Sequence, residues 1–338
     1  MMHLPLADTF TNPYLLLLAG ISIGIIGGLF GLSGSFIFTP LLNAFGFPMS
    51  FAIGTNLTQQ FGRSVLITVK NNVLNGVNWK IGITMGITGM AGIYLGGQAI
   101  LILDGLGIAD LTIRSIYAAL LLGMGCYMIN ELKCQKNNTY YANKFARVKA
   151  LSEKISGIKI APMVYIPDSG GNSISLWLLI ITGTMIGLIS GLLGSSGSFI
   201  RLPFLVLILG MPMLTSLCTD ILATFLTIGF GASAYAFAGR AEIVAAMLLL
   251  AGSGIGSQIG LYANRHVDRP RVNLCLLANV ITVCFGVVIM QFGYVTPAAV
   301  TMIGSVFVFS TILASLVIAG IIRESRPLEG LPVKKKAV

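Results

Sequence analysis

Apolar residues run along this chain in long unbroken stretches, with none of the period-two or one-face patterning of a soluble domain. The stretches cover residues 14–45, 49–69, 81–103, 114–131, 174–209, 214–238, 243–263, 272–292 and 297–322. A helix needs about 20 apolar residues to cross a bilayer. The second to fourth and the sixth to ninth stretches therefore predict single membrane helices. The first and fifth are long enough for two half-membrane helices meeting at a break.

Both long stretches carry the same interruption. Gly28-Leu29-Phe30-Gly31-Leu32-Ser33-Gly34-Ser35-Phe36-Ile37-Phe38-Thr39-Pro40 returns as Gly191-Leu192-Leu193-Gly194-Ser195-Ser196-Gly197-Ser198-Phe199-Ile200-Arg201-Leu202-Pro203. Glycine lets the backbone leave helical geometry and proline removes a donor, so both segments are expected to unwind near mid-membrane. Unwound backbone at that depth is tolerated only where protein buries it or a polar cavity faces it. Two such breaks at matching places in two halves point to a transporter's binding site.

The duplication extends beyond the break. Gly46-Phe47-Pro48-Met49 matches Gly210-Met211-Pro212-Met213, Gly76 matches Gly239, and Gly92-x-x-x-Gly96-x-Gln98 aligns with Gly252-x-x-x-Gly256-x-Gln258. Small residues four apart let membrane helices approach closely, and the two glutamines are expected to bond between helices.

At these motifs the chain resembles the TauE/SafE sulfite exporters, also called the toluene sulfonate uptake permease superfamily. The shared features are a Gly-rich element ending in Pro in each half, and the turn that follows it, here Gly54-Thr55-Asn56-Leu57 and, in altered form, Cys218-Thr219-Asp220-Ile221. The resemblance covers nearly all of both halves but neither the central linker nor the last apolar segment. It implies a secondary transporter, most often an exporter, of sulfite or an organosulfonate.

Composition agrees with an all-α polytopic membrane protein: only 9% of the 338 residues are charged and mean hydropathy is +0.90, against about 25% charged in soluble domains. The net charge of +10 is not a nucleic-acid stripe, because the basic residues crowd into connecting segments. Lys133, Lys136, Lys144, Arg147, Lys149, Lys154 and Lys159 mark a linker, and Arg323, Arg326 and Lys334-Lys335-Lys336 mark the tail. Under the positive-inside rule both are cytoplasmic. Five apolar segments lie between them, and an odd number of crossings cannot return to the same side, so one is re-entrant. Making the first and fifth segments re-entrant places the loops with Lys70 and Lys80, and with Arg265, Arg269 and Arg271, inside, and the Lys/Arg-free N-terminus outside. Each half then crosses an odd number of times before the next begins, which makes the duplication an inverted repeat. The expected divisions are 1–131 for the first transmembrane repeat, 132–173 for a basic cytoplasmic linker, 174–292 for the second repeat, and 293–338 for an extra helix and basic tail. The first apolar stretch lacks the flanks of a signal peptide.

Polar residues inside the apolar stretches are the candidate site. Asn56, Gln59, Gln60 and Arg63 share one helical face, and Asp220, Thr224 and Thr227 form the corresponding face of the other half. An ionisable group within a span costs at least about 2.5 kcal/mol unless it meets a polar cavity or partner. Arg201 has only Phe38 at its equivalent place. Its planar fork of donors suits a sulfonate, sulfite or carboxylate, helped by exposed N–H groups at half-helix N-termini. The same residue suits a pairing with Asp220 or a snorkel to the interface. Asp220 either carries a coupling proton or neutralises Arg201. The substrate-binding candidates are Ser33, Gly34, Ser35, Thr55, Asn56, Gln59, Gln60, Arg63, Ser196, Gly197, Ser198, Arg201, Cys218, Thr219 and Asp220.

Enzymatic readings fail on composition. The histidines are His3 in the N-terminal tail and His266 in a basic loop, which leaves no base for a membrane serine nucleophile and no H-E-x-x-H pair. There is no Walker A motif, and Cys126, Cys134, Cys218, Cys275 and Cys284 have neither zinc-site nor disulfide spacing. The sequence calls for no cofactor and no nucleic acid. Its partners are a small anion, the lipid bilayer of the cell membrane, and a coupling proton or sodium ion. An anion channel and a membrane sensor or scaffold are the alternative functions.

Overall fold

The structure is a computed structural model describing residues 2–4, 6–7, 9–30, 35–70, 76–134, 162–165, 173–263 and 269–324. Its helices are α1 (Pro13–Phe30), α2 (Ser35–Ala44), α3 (Met49–Lys70), α4 (Trp79–Gly105), α5 (Ala109–Cys134), α6 (Leu176–Leu193), α7 (Ser198–Pro203), α8 (Met213–Phe237), α9 (Ile243–Ala263), α10 (Arg269–Gln291) and α11 (Val295–Glu324). A π-helical turn, Phe204–Ile208, continues α7 past Pro203. Seven of these helices are long and apolar enough to cross a membrane by length and composition, so the protein is a multi-pass membrane protein. Helix α3 has the length, but its polar face lowers its hydropathy.

The second long apolar stretch is broken where its glycine cluster falls, and in the first the helices flank residues 31–34, which lie outside the described ones. The first divides into α1 and α2, and the second into α6 and α7. Each ends in the same way: Gly46 (φ 96°) and Gly210 (φ 65°) turn the chain left-handed, and Pro48 and Pro212 lead into α3 and α8.

Helices of one half pair with helices of the other. Helix α1 lies along α9, and α4 lies along α6. Gly20 abuts Leu249 and Gly252, Gly24 abuts Ser253 and Gly256, and Gly28 abuts Ser257 and Gly260, so α1 and α9 run parallel. In the equivalent pair Gly183 abuts Met85, Gly187 abuts Gly89, and Gly191 abuts Ile93 and Gly96. A Cβ built on Gly24 would lie 2.7 Å from the Ser253 carbonyl oxygen, closer than any side chain allows. These glycines are what lets the backbones touch.

This pairing corrects the alignment read from sequence by one helical turn. Gly256, not Gly252, is the counterpart of Gly92, and Gly260 is the counterpart of Gly96. Helix α9 carries three glycines at four-residue spacing, so the sequence offered two equally good registers. Gln98 and Gln258 are exposed on outer faces and do not bond between helices.

Equivalent helices meet antiparallel. On α3 and α8, Gly54 abuts Tyr235 and the Arg240 carbonyl, while Phe61 stacks on Phe225 with centroids 5.5 Å apart. On α5 and α10, Gln291 reaches Leu111 and Ser115, and the Cys284 thiol donates to the Ala118 carbonyl. Thr55, early in α3, accepts the backbone N–H of Glu242 just before α9, and Thr219, early in α8, accepts that of Asn78 just before α4. The starts of α1, α3 and α9 therefore share one end of the bundle, and those of α4, α6 and α8 share the other. Each broken segment enters and leaves at a single end.

Sequence reasoning missed a short antiparallel hairpin in front of each broken segment: Met2–Leu4 with Thr9–Thr11 before α1, and Met163–Tyr165 with Ser173–Ser175 before α6. Strands of three residues carry too little pattern to register. The second occupies the end of the stretch read as linker, whose residues 135–161 and 166–172 lie outside the described ones. Helix α11 packs on α10, α1 and α2.

Candidate functional site

The break between α6 and α7 requires its glycines. Gly194 and Gly197 both take left-handed backbone (φ 63° and 66°). A Cβ on Gly194 would lie 2.9 Å from the Ile53 Cα, and one on Gly197 would lie 2.8 Å from the Ser190 hydroxyl.

Ending α6 early strands its last carbonyls inside the protein, and a helix end buried without partners is costly. Five side chains, most of them on other elements of the first half, supply donors. Asn56 Nδ2 and Gln60 Nε2 both donate to the Gly194 carbonyl, at 2.8 and 2.7 Å. The Thr39 hydroxyl donates to the Leu193 carbonyl at 3.0 Å, and the Tyr117 hydroxyl donates to the same oxygen. From the second half, the Tyr235 hydroxyl donates to the Gly191 carbonyl at 2.9 Å. The face expected to greet a ligand thus holds the other half's broken helix. Tyr117 and Tyr235 were not singled out from sequence; a tyrosine within an apolar span is the signal that would have found them.

Beyond the break, α7 carries Arg201 against α8. Its guanidinium is fully buried. Nη1 donates to the Thr224 hydroxyl at 2.8 Å and to Asp220 Oδ1 at 3.2 Å, closing an ion pair within the span. Ser198 adds its hydroxyl 3.3 Å from that of Thr224. Nε and Nη2, which lie along the opposite edge of the guanidinium, have no hydrogen-bond partner, and neither has the buried Ser195 hydroxyl.

The remaining expected site residues are placed as follows. Ser196 is buried within the break. Gln59 donates to the Ser253 hydroxyl at 2.6 Å, tying α3 to α9. Thr55 and Thr219 hold the starts of α9 and α4. Cys218 packs against Gly76 and Arg63 is half-buried farther along α3. Ser33 and Gly34 lie outside the described residues, and Ser35 opens α2.

Membrane-length apolar helices around buried polar groups define a polytopic helical membrane protein. The model of the sulfite exporter TauE/SafE family matches residues 16–289, and the chain belongs to that family. It is similar to a protein of Methanocaldococcus jannaschii named as a probable membrane transporter, with 26% identity over 200 residues that make up 57% of this chain. The match spans 61% of that relative's length. No solved structure matches the chain.

Proposed function

We propose that the protein is a secondary transporter of a small sulfur-containing anion, such as sulfite or an organosulfonate, in the cell membrane. The observation that carries this reading is Arg201: a fully buried guanidinium whose Nη1 is engaged by Asp220 and Thr224 while Nε and Nη2 are unpartnered. Those two donors point from one edge in parallel, which matches two oxygens of a sulfonate, sulfite or carboxylate. An arginine serving structure alone would have its donors satisfied.

The antiparallel meeting of α3 with α8 and of α5 with α10 supports an inverted repeat, in which rocking of one half against the other exposes the site alternately to each side. The end of the bundle bearing Lys80 and the starts of α4, α6 and α8 is assigned to the cytoplasm with the linker and tail, and the N-terminus to the outside. Export is the direction that the family's name carries.

The test is uptake of sulfite, methanesulfonate and acetate into liposomes holding the purified protein, beside Arg201→Ala. Saturable uptake of the sulfur oxyanions that Arg201→Ala abolishes is the expected result. Absence of uptake of all three by a folded protein overturns the reading.

A further inference from the structure

The occupants of the buried centre sum to zero charge before any substrate arrives: one guanidinium, Arg201, against one carboxylate, Asp220. Among the described residues no other ionisable group forms an ion pair with either member. Cys218, on the same helix, packs against Gly76; Arg63 of α3 forms no ion pair with Asp220; and Lys80 of α4 is exposed. Helix α4 meets α8 through Gly82 and Gly86 against Thr219, Leu222 and Leu226.

An anion seated on the open edge of Arg201 therefore gives the Arg201–Asp220 pair one net negative charge. An uncompensated charge in such a setting is far costlier than a neutralised one. The carboxylate already in contact with the same guanidinium is the group that can remove it.

We propose that Asp220 is a proton-binding site, and that each monovalent anion binds together with one proton. This inference rests on the anion-transport reading above. The step is a simple protonation: the Asp220 carboxylate takes H⁺ to form a carboxylic acid, no other bond changes, and the anion becomes the sole counterion of Arg201. The new O–H has acceptors at hand in the Ser198 and Thr224 hydroxyls, which lie 3.3 Å apart beside the pair. Thr224 already accepts from Arg201 Nη1 at 2.8 Å, so the guanidinium stays anchored when Asp220 is neutral. Co-binding makes the cycle electroneutral anion–proton cotransport. The protein runs inward when the outside is more acidic, and outward when the anion's own outward gradient exceeds the proton gradient.

The test uses methanesulfonate, a strong-acid anion that brings no proton of its own. Wild-type liposomes with acid outside should take it up faster than at symmetrical pH, acidify an internal pH dye in proportion, and ignore an imposed membrane potential. Its affinity should weaken about tenfold per pH unit above the titration of the site, the slope of one linked proton. Asp220→Asn should bind methanesulfonate with no such slope and carry it in response to potential, and Asp220→Glu should restore the proton dependence. Calorimetry of wild type in buffers of different ionisation enthalpy reads the bound proton directly, whether or not the variants fold. Uptake that needs Arg201 but is indifferent to the pH gradient, with no proton bound on calorimetry, overturns the proton site and leaves the anion transporter standing. Loss of all Arg201-dependent uptake overturns both.

Discussion

Asn56 donates its side-chain amide to the carbonyl of Gly194 at 2.8 Å, joining residues 138 positions apart. The same nitrogen lies 2.9 Å from the Thr39 hydroxyl, which in turn donates to the Leu193 carbonyl. Through this cluster one half of the molecule closes the open end of the other half's broken helix, so the break is held from outside its own segment.

Removing the cap should cost stability. Asn56→Leu removes one of the two donors to the Gly194 carbonyl together with the bond to Thr39, and is expected to destabilise the protein by about 1 kcal/mol. Gln60→Leu should do the same. Because both amides serve the single Gly194 oxygen, the double variant is expected to depart from the sum of the singles. Thermal unfolding of the purified protein in detergent measures all three.

Gly194→Ala and Gly197→Ala test the left-handed break itself. Each places a side chain in a conformation that costs about 1–2 kcal/mol, with a steric overlap added. Gly123→Ala is the control, because a Cβ there meets nothing within 4 Å and alanine favours a helix by up to about 1 kcal/mol. Lower melting temperatures for the first two with an unchanged or raised one for the third are expected.

The register of the glycine seams gives a further check. Gly256→Val and Gly92→Val occupy equivalent seam positions and should both impair folding and expression. Gly254→Val should not, since that position faces open space. If Gly254→Val proved as damaging as Gly256→Val, the α1–α9 packing would be wrong.

Topology can be read by labelling. In a background without the native cysteines, Gly107→Cys should react with an impermeant maleimide on intact cells. Lys80→Cys should react only after permeabilisation. Reversal of the two reverses the assigned orientation.

Much of this architecture is legible in the residues themselves. The break after α6 follows from Gly194 and Gly197, because backbone freedom is a property of the residue that has it. The membrane-spanning helices follow from the length and composition of the apolar stretches, since transfer into lipid acts residue by residue. The duplicated Gly-x-Pro-Met turns announce two halves of one design, and the buried ion pair was among the alternatives that Arg201 and Asp220 left open.

Other features needed the assembled molecule. Gly252, Gly256 and Gly260 repeat at one spacing, so only the contact with Gly20, Gly24 and Gly28 chooses the register. Asn56 and Gln60 look like ligand-facing amides on a polar stripe, and only the end of α6 beside them reveals that their nitrogens are committed to Gly194. Thr55 and Thr219 likewise acquire their role from Glu242 and Asn78.

The sequence by itself determined the membrane-spanning lengths, the break at Gly194 and Gly197, the repeat and the distribution of charge, because transfer into lipid and backbone freedom act residue by residue. The tertiary structure alone decided which polar groups are spent on holding the fold and which, such as Nε and Nη2 of Arg201, have no partner within it. Hydrogen bonds are short and directional, so the partner of a buried donor is fixed by the packing of helices that are distant in sequence.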